Sequence, residues 1–514
     1  MRAAPSTHGT RRSASLFITV ALLLAMLGAC EGSSTAGRAG RQPTSIHAVD
    51  LRGVRVLRVP GGKGIAETSA ATASAVEQLP ASYHEFEDLL SGTAAIYAGP
   101  ATGPAKVKSA DHAFVTRVLV RAPVSAAHFS GSVWVEPFNT SGGGDFDAVW
   151  ATIAPLIEKR GDAWVGVTVR AKQVGNLRQF DPVRYRGMNF NSNAYAWDAL
   201  RDVGALLKTN APRSPLHALA VKRVYMGGYS QSGVDVATFV AAFNRITRLR
   251  DGAPVYDGYL LGAHDGNLSP LQSGDSIIPK FDVASIPSVD TPVIDVEPQT
   301  DVEGFAVTVP TELLKQAGLA GADAITSPTF TYTDVGGAKV RRNDSDTTRD
   351  QYRLFEIPGA PHVAGAGNGC IGSSSFPTHY FTRAAAALLA RWAEDSVAPP
   401  RVPRIELAKL GPVSVARNDR YGNALGGVRS PFVDVPLARY EVHTGPAPTC
   451  KQFGKETPLS ADVLRRRYGG VGEYMKAFTT KLDATVSAGF LLESDRQAIL
   501  DAQRTAAKRA FGSS

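Results

Sequence analysis

Between residues 114 and 300, short apolar runs rich in β-branched residues alternate with stretches whose apolar residues recur at helical spacing. Runs of that kind fit strands covered on both faces, and the helical stretches fit the crossovers between them. The pattern therefore predicts an α/β fold, a mostly parallel central sheet with helices on both faces. Strands are expected at 114–120, 132–136, 163–169, 223–227, 256–261 and 293–297. Trp197, Leu200, Gly204 and Leu207 mark one crossover helix, and Val236, Phe239, Val240 and Phe243 another; both stripes read as core-facing sides. A last strand at 353–357 and an alanine-rich helix at 381–392 follow, after which Ala398-Pro-Pro-Arg-Val-Pro403 breaks the pattern. Helical patterns at 461–468 and 493–510 then predict a mainly helical C-terminal extension, 401–514, packed on a main domain of 46–400. Before residue 114 the pattern is weaker, with 54–59 reading as a strand, and no internal repeat is found.

The N-terminus departs from this plan. Arg2, Arg11 and Arg12 precede an apolar run over 16–27 that ends in the small residues Gly28 and Ala29. That is the pattern of a secretory signal over 1–29, too short for the roughly 20 residues of a membrane-spanning helix. Leu27-Gly28-Ala29-Cys30 resembles the bacterial lipoprotein box, which implies lipidation of Cys30; the alternative is ordinary cleavage near Ala29 and a secreted or periplasmic protein. Residues 31–45 are rich in Gly, Ser, Thr and Arg and lack apolar periodicity, which reads as a flexible tether. The expectation is an exported protein held at the cell envelope through an N-terminal lipid anchor.

Charge and cysteines narrow the partners. Three of the eight excess positive charges leave with the leader, and no Lys/Arg run or aromatic-basic stripe remains, so no nucleic-acid partner is expected. Cys370 and Cys450 are the two cysteines besides Cys30, candidates for a disulfide in an oxidising compartment. There is no Walker loop, no G-x-G-x-x-G after the first strand, no H-E-x-x-H and no dense His/Asp/Glu cluster along the chain; neither cofactor nor metal is expected.

The candidate chemistry lies in Val224-Tyr-Met-Gly-Gly-Tyr-Ser-Gln-Ser-Gly233, where a strand ends in small residues and runs straight into an amphipathic helix. Such a strand-to-helix turn is a nucleophile elbow, and it presents Ser230. The sharp turn asks for tiny residues two before and two after the serine, here Gly228 and Ser232, the latter a departure from the usual glycine. A serine hydroxyl needs a histidine to take its proton, and in this fold acid and histidine follow in the order Ser, Asp or Glu, His. Of the histidines downstream, His379 begins a helix and His443 falls in the extension, whereas His362 follows the last strand in Pro358-Gly-Ala-Pro-His362. The acid belongs on the loop after the penultimate strand, which favours Asp301; Glu297 and Glu303 remain rivals, and Asp295 falls early in the strand. Oxyanion donors are expected from the amide of Gln231 and from Asn139 or Thr140 in the turn after 132–136. The stretch 267–290 between two strands is a candidate lid.

Trp134-Val-Glu-Pro-Phe-Asn139, Gly228-Tyr-Ser-Gln-Ser-Gly233, Gln299-Thr-Asp301, Gly359-Ala-Pro-His362 and Asp419-Arg-Tyr-Gly-Asn-Ala-Leu-Gly-Gly-Val-Arg429 resemble, from about residue 80 onward, a family of large bacterial exported proteins with an alpha/beta hydrolase domain. The resemblance implies an alpha/beta-hydrolase fold, Ser230, Asp301 and His362 as catalytic triad, and an integral C-terminal region. The expected function is a serine esterase acting on a small-molecule ester through an acyl-serine. The alternatives are an acyltransferase or amidase with the same triad, or an envelope binding protein that has lost activity.

Overall fold

Alternation along the strands sorts the apolar side chains into two layers. Val118, Val120, Val133, Val135, Val224 and Met226 fall in one buried cluster, while Leu119, Trp134, Trp164 and Tyr225, interleaved with them, fall in the other. Period-two alternation with apolar residues on both sides is what a sheet sandwiched between helices requires. In the computed structural model the described residues are 47–59, 79–141, 143–272, 282–304, 340–365, 372–410, 413–441 and 452–512. The leader, the tether, Cys30, Cys370, Cys450 and His443 lie outside them.

Ten strands form the central sheet: β1 (Arg55–Arg58), β2 (Tyr83–Ala98), β3 (Lys106–Pro123), β4 (Ser132–Pro137), β5 (Ala163–Val167), β6 (Arg223–Tyr229), β7 (Gly258–Gly262), β8 (Val293–Pro298), β9 (Ser345–Thr347) and β10 (Asp350–Ile357). Their order is β9-β10-β8-β7-β6-β4-β5-β3-β2-β1. The six strands β5, β4, β6, β7, β8 and β10 pair in parallel, and antiparallel partners flank them on both sides. The expected strand at 114–120 is the inner part of β3, which pairs with β2 and β5 antiparallel and so stands outside the parallel core. Its long partner β2 was not legible, because Ser91-Gly-Thr-Ala-Ala95 carries few of the β-branched and aromatic side chains that mark a strand.

The main helices are α1 (Ala148–Arg160), α2 (Ala171–Phe180), α3 (Ala196–Lys208), α4 (Gln231–Thr238), α5 (Gln299–Glu303), α6 (Thr378–Asp395), α7 (Ala461–Tyr468), α8 (Val471–Ser487) and α9 (Arg496–Phe511). The stripe ending at Phe243 runs through α4 and on into a π-helical turn, Phe239–Phe243. Gly204 lets α3 approach the sheet: a Cβ there would stand 2.6 Å from the Tyr256 ring and from Val255. Among the described residues no helix is long and apolar enough to cross a membrane.

The C-terminal region is integral to the core. Tyr474, Phe478, Leu482 and Ile499 share one buried cluster with Trp134 of β4 and Phe381 of α6. Phe478 meets Phe432 edge-on at 5.6 Å and Phe355 of β10 meets Phe490 at 5.3 Å. It is less purely helical than expected, since two antiparallel strand pairs precede the helices, Leu407–Leu410 with Val413–Ala416 and Ala438–Glu441 with Lys455–Pro458.

Candidate active site

The backbone at the elbow is constrained. Ser230 stands between β6 and α4 with φ 58° and ψ −127°, a conformation that costs a non-glycine residue about 1–3 kcal/mol and survives only when its surroundings impose it. They do: the Ser230 amide donates to Gly262 O at 2.9 Å at the end of β7, and Val234 N donates to Ser230 O at 2.9 Å. Gly228 is required, because a Cβ there would lie 2.2 Å from Ser232 O. The second tiny position is Gly233 rather than 232: a Cβ at 233 would lie 2.4 Å from Gly262 O. Ser232 is tolerated because its side chain turns back along the chain, its Oγ accepting from Tyr229 N and donating to Tyr229 O, both at 3.0 Å. Gly233→Ala is therefore expected to cost ~1–3 kcal/mol of stability and to displace Ser230, whereas Ser232→Gly is tolerated. Urea unfolding midpoints together with reactivity at Ser230 check both.

His362 bridges the serine and the acid. Its Nε2 lies 2.8 Å from Ser230 Oγ, and its Nδ1 lies 2.8 Å from Asp301 Oδ1. His362 and Asp301 are buried. Asp301 sits in α5, a single turn held against the histidine loop: Gln299 Oε1 accepts from Gly359 N at 2.7 Å and Thr300 N donates to Ala360 O. Each rival acid has another engagement. Glu303 accepts from Gln299 Nε2 at 2.6 Å, Glu297 accepts the amides of His264 and Asp265, and Asp295 accepts from Tyr352 Oη at 2.8 Å and faces His264. His379 stands exposed in the first turn of α6.

Tyr229 was not singled out by sequence. Its hydroxyl donates to His362 O at 2.7 Å, tethering the histidine loop to the residue that precedes the serine. Burial, with Asp301 and Glu297 nearby, holds that hydroxyl well above its ordinary pKa, so it remains a donor. Its position directly before the serine was a signal available in the sequence; its hydrogen bond was not.

The expected oxyanion donors need one correction. The Asn139 amide donates to Phe146 O at 2.9 Å in a bridge that closes the 139–146 loop, so it is not free for an oxyanion; the Asn139 side chain instead donates to Tyr229 O at 2.8 Å. Thr140 is in place beside the elbow, its amide donating to Gln231 Oε1 at 3.0 Å. Gln231 begins α4, directly after Ser230, and its Nε2 donates to Asp235 Oδ2 at 2.7 Å. The loop is anchored from β3 by two buried arginines, Arg117 to Asp145 at 2.8 Å and Arg121 to Asp147. Of the candidate lid, Asn267–Leu268 pairs antiparallel with Asp282–Val283, and residues 273–281 lie outside those described.

Behind the acid, His264, Asp295 and Glu297 gather into a buried group that could hold a metal, which their separation along the chain concealed. Burial, then Asp295, Asp301 and Asp265, push the Glu297 carboxyl well above the usual carboxylate range.

No curated protein matches the chain. Among solved structures it is similar to an alpha/beta serine hydrolase without lid from Xanthomonas campestris (11% identity, 52% of this chain and 83% of that one, TM-score 0.24). It is also similar to LpqC, a poly(3-hydroxybutyrate) depolymerase from Bordetella parapertussis (12%, 56% and 88%, TM-score 0.28). A third is esterase B from Lactobacillus rhamnosis (12%, 57% and 79%, TM-score 0.24). The family described as alpha/beta hydrolase domain matches residues 57–319 and 321–501, nearly the whole described sheet and the C-terminal helices up to the start of α9. With that match added to the sheet order and the elbow, the chain belongs to the alpha/beta hydrolase domain family.

Proposed function

We propose that the protein is a serine esterase that cleaves small-molecule carboxylic esters through an acyl-serine. The observation that carries this reading is the placement of His362 between Ser230 Oγ and Asp301 Oδ1, each at 2.8 Å. Ser230 Oγ attacks the ester carbonyl while its proton passes to His362 Nε2; Nδ1–H donates to Asp301, which holds the ring in that tautomer and stabilises the imidazolium. His362 Nε2–H then protonates the departing alcohol, and water, activated by the same nitrogen, releases the acid. The negative oxygen of the tetrahedral intermediate is received by the main-chain amides of Gln231 and Thr140, the latter once the Gln231 carboxamide turns away.

Labelling the full chain with a fluorophosphonate and mapping the adduct tests the reading. Modification at Ser230, lost in His362→Ala, supports it; a folded protein that is not labelled overturns it. The oxyanion assignment has its own check. Gln231→Ala keeps the main-chain amide and should leave kcat within about tenfold, whereas Thr140→Pro deletes an amide and should lower kcat by about 10²–10³. Thr140→Gly, which keeps the amide, is the control. We further propose export and lipid attachment at Cys30, which mass spectrometry of the mature N-terminus decides.

A further inference from the structure

The end of β7 and the body of β8 bring together an imidazole and two carboxylates that the serine chemistry does not use. His264 Nε2 lies 3.2 Å from Asp295 Oδ2 and 3.5 Å from Glu297 Oε1. All three side chains are 3–5% exposed. Tyr352 Oη donates to the same Asp295 oxygen, and His264 Nδ1 faces Asn267 O, which leaves Nε2 as the nitrogen turned to the carboxylates. Among the described residues the other oxygen, Asp295 Oδ1, is buried and meets no N–H donor, and the Glu297 carboxyl stands within hydrogen-bonding reach of Asp295. These groups line a cavity of about 20 Å³, with Val302 and Leu354 among its apolar walls. A space of that order admits about one water-sized body. Arg341 also borders it, but its guanidinium is held by Glu356 and Ile405 O.

We propose that His264, Asp295 and Glu297 bind one divalent transition-metal ion, with Zn²⁺ as the fitting occupant, in a buried three-ligand site beneath the acid of the serine centre. Three arguments carry it. An imidazole nitrogen with two carboxylate oxygens is a zinc donor set, and ligands at about 2.0–2.1 Å from a tetrahedral ion stand about 3.3 Å apart, close to both nitrogen–oxygen separations here. A neutral imidazole and two carboxylates also balance a dication in charge, as burial of an ion asks. The outer partners are those that orient metal ligands: a carbonyl on the far imidazole nitrogen, a tyrosine hydroxyl on Asp295, and the His264 and Asp265 amides on Glu297. The ion would pin the end of β7 to β8, the strand that leads directly into α5 and Asp301. It takes no part in the proposed ester cleavage, and Ser230→Ala should bind it as well as the parent.

The full chain is incubated with Zn²⁺, passed through gel filtration and assayed for metal by mass spectrometry, with thermal unfolding before and after chelation. About one equivalent per chain is expected, with a melting temperature that falls on chelation and recovers with Zn²⁺. Glu297→Gln and Asp295→Asn should lose the ion and the thermal response, while Glu303→Gln keeps both. Co²⁺ in place of Zn²⁺ should lack the intense near-ultraviolet band of thiolate ligation, which separates this site from the cysteines without any variant. A parent that retains no metal and shows no thermal shift, retention in both variants, or a thiolate band each overturns the proposal.

Discussion

Alanine at Ser230 is expected to lower kcat for ester hydrolysis by about 10⁴–10⁶-fold, alanine at His362 by a similar factor, and the double variant by no more than either alone. The reason is that the two side chains act as one unit: without Nε2 at 2.8 Å the hydroxyl keeps its proton, and without the hydroxyl the imidazole has nothing to activate. Asp301→Asn keeps the shape but offers an amide donor to Nδ1, favours the wrong tautomer and should cost about 10⁴ in kcat. Initial rates on a series of short-chain esters, with circular dichroism to confirm folding, measure all four. Independent, multiplying losses in the double variant would contradict the shared role.

Arg117→Met is expected to destabilise the fold by about 3–5 kcal/mol. The arginine is fully buried, lies between Glu87 Oε1 at 3.2 Å and Asp145 Oδ2 at 2.8 Å, and packs its guanidinium over the Phe138 ring. Glu87 keeps Arg184 and Tyr185 as partners when Arg117 is removed, so most of the cost falls on Asp145, which is left with the Thr168 hydroxyl. Adding Asp145→Asn should therefore recover a large part of the loss, and urea unfolding of the two singles and the double measures that coupling. Because Asp145 anchors the loop that carries Thr140, the single variant should also lower kcat in whatever folded protein remains.

How much of this was legible follows from how local each feature is. The parallel core could be read because each of its strands is a short run of large apolar residues, as in Ala163–Val167, whose meaning does not depend on its partner. The β2 strand, with Ala and Gly in its middle, becomes a strand by pairing along nearly its whole length with β3. The need for a second small residue after Ser230 was legible, but whether it fell at 232 or 233 depended on where the carbonyl of Gly262, on another strand, came to lie.

By itself, then, the sequence determined the α/β plan, the elbow at Ser230 and the order in which acid and histidine must follow, because periodicity and sharp turns are properties of neighbouring residues. Only the tertiary structure decided which of four nearby acids reaches His362, that the Asn139 amide is spent on Phe146, and that His264 meets Asp295 and Glu297. The first and last of these rest on contacts between residues far apart in the chain, 61 for His362 and Asp301 and 31 for His264 and Asp295, and hydrogen-bonding reach is set by how the strands pair rather than by spacing along the sequence.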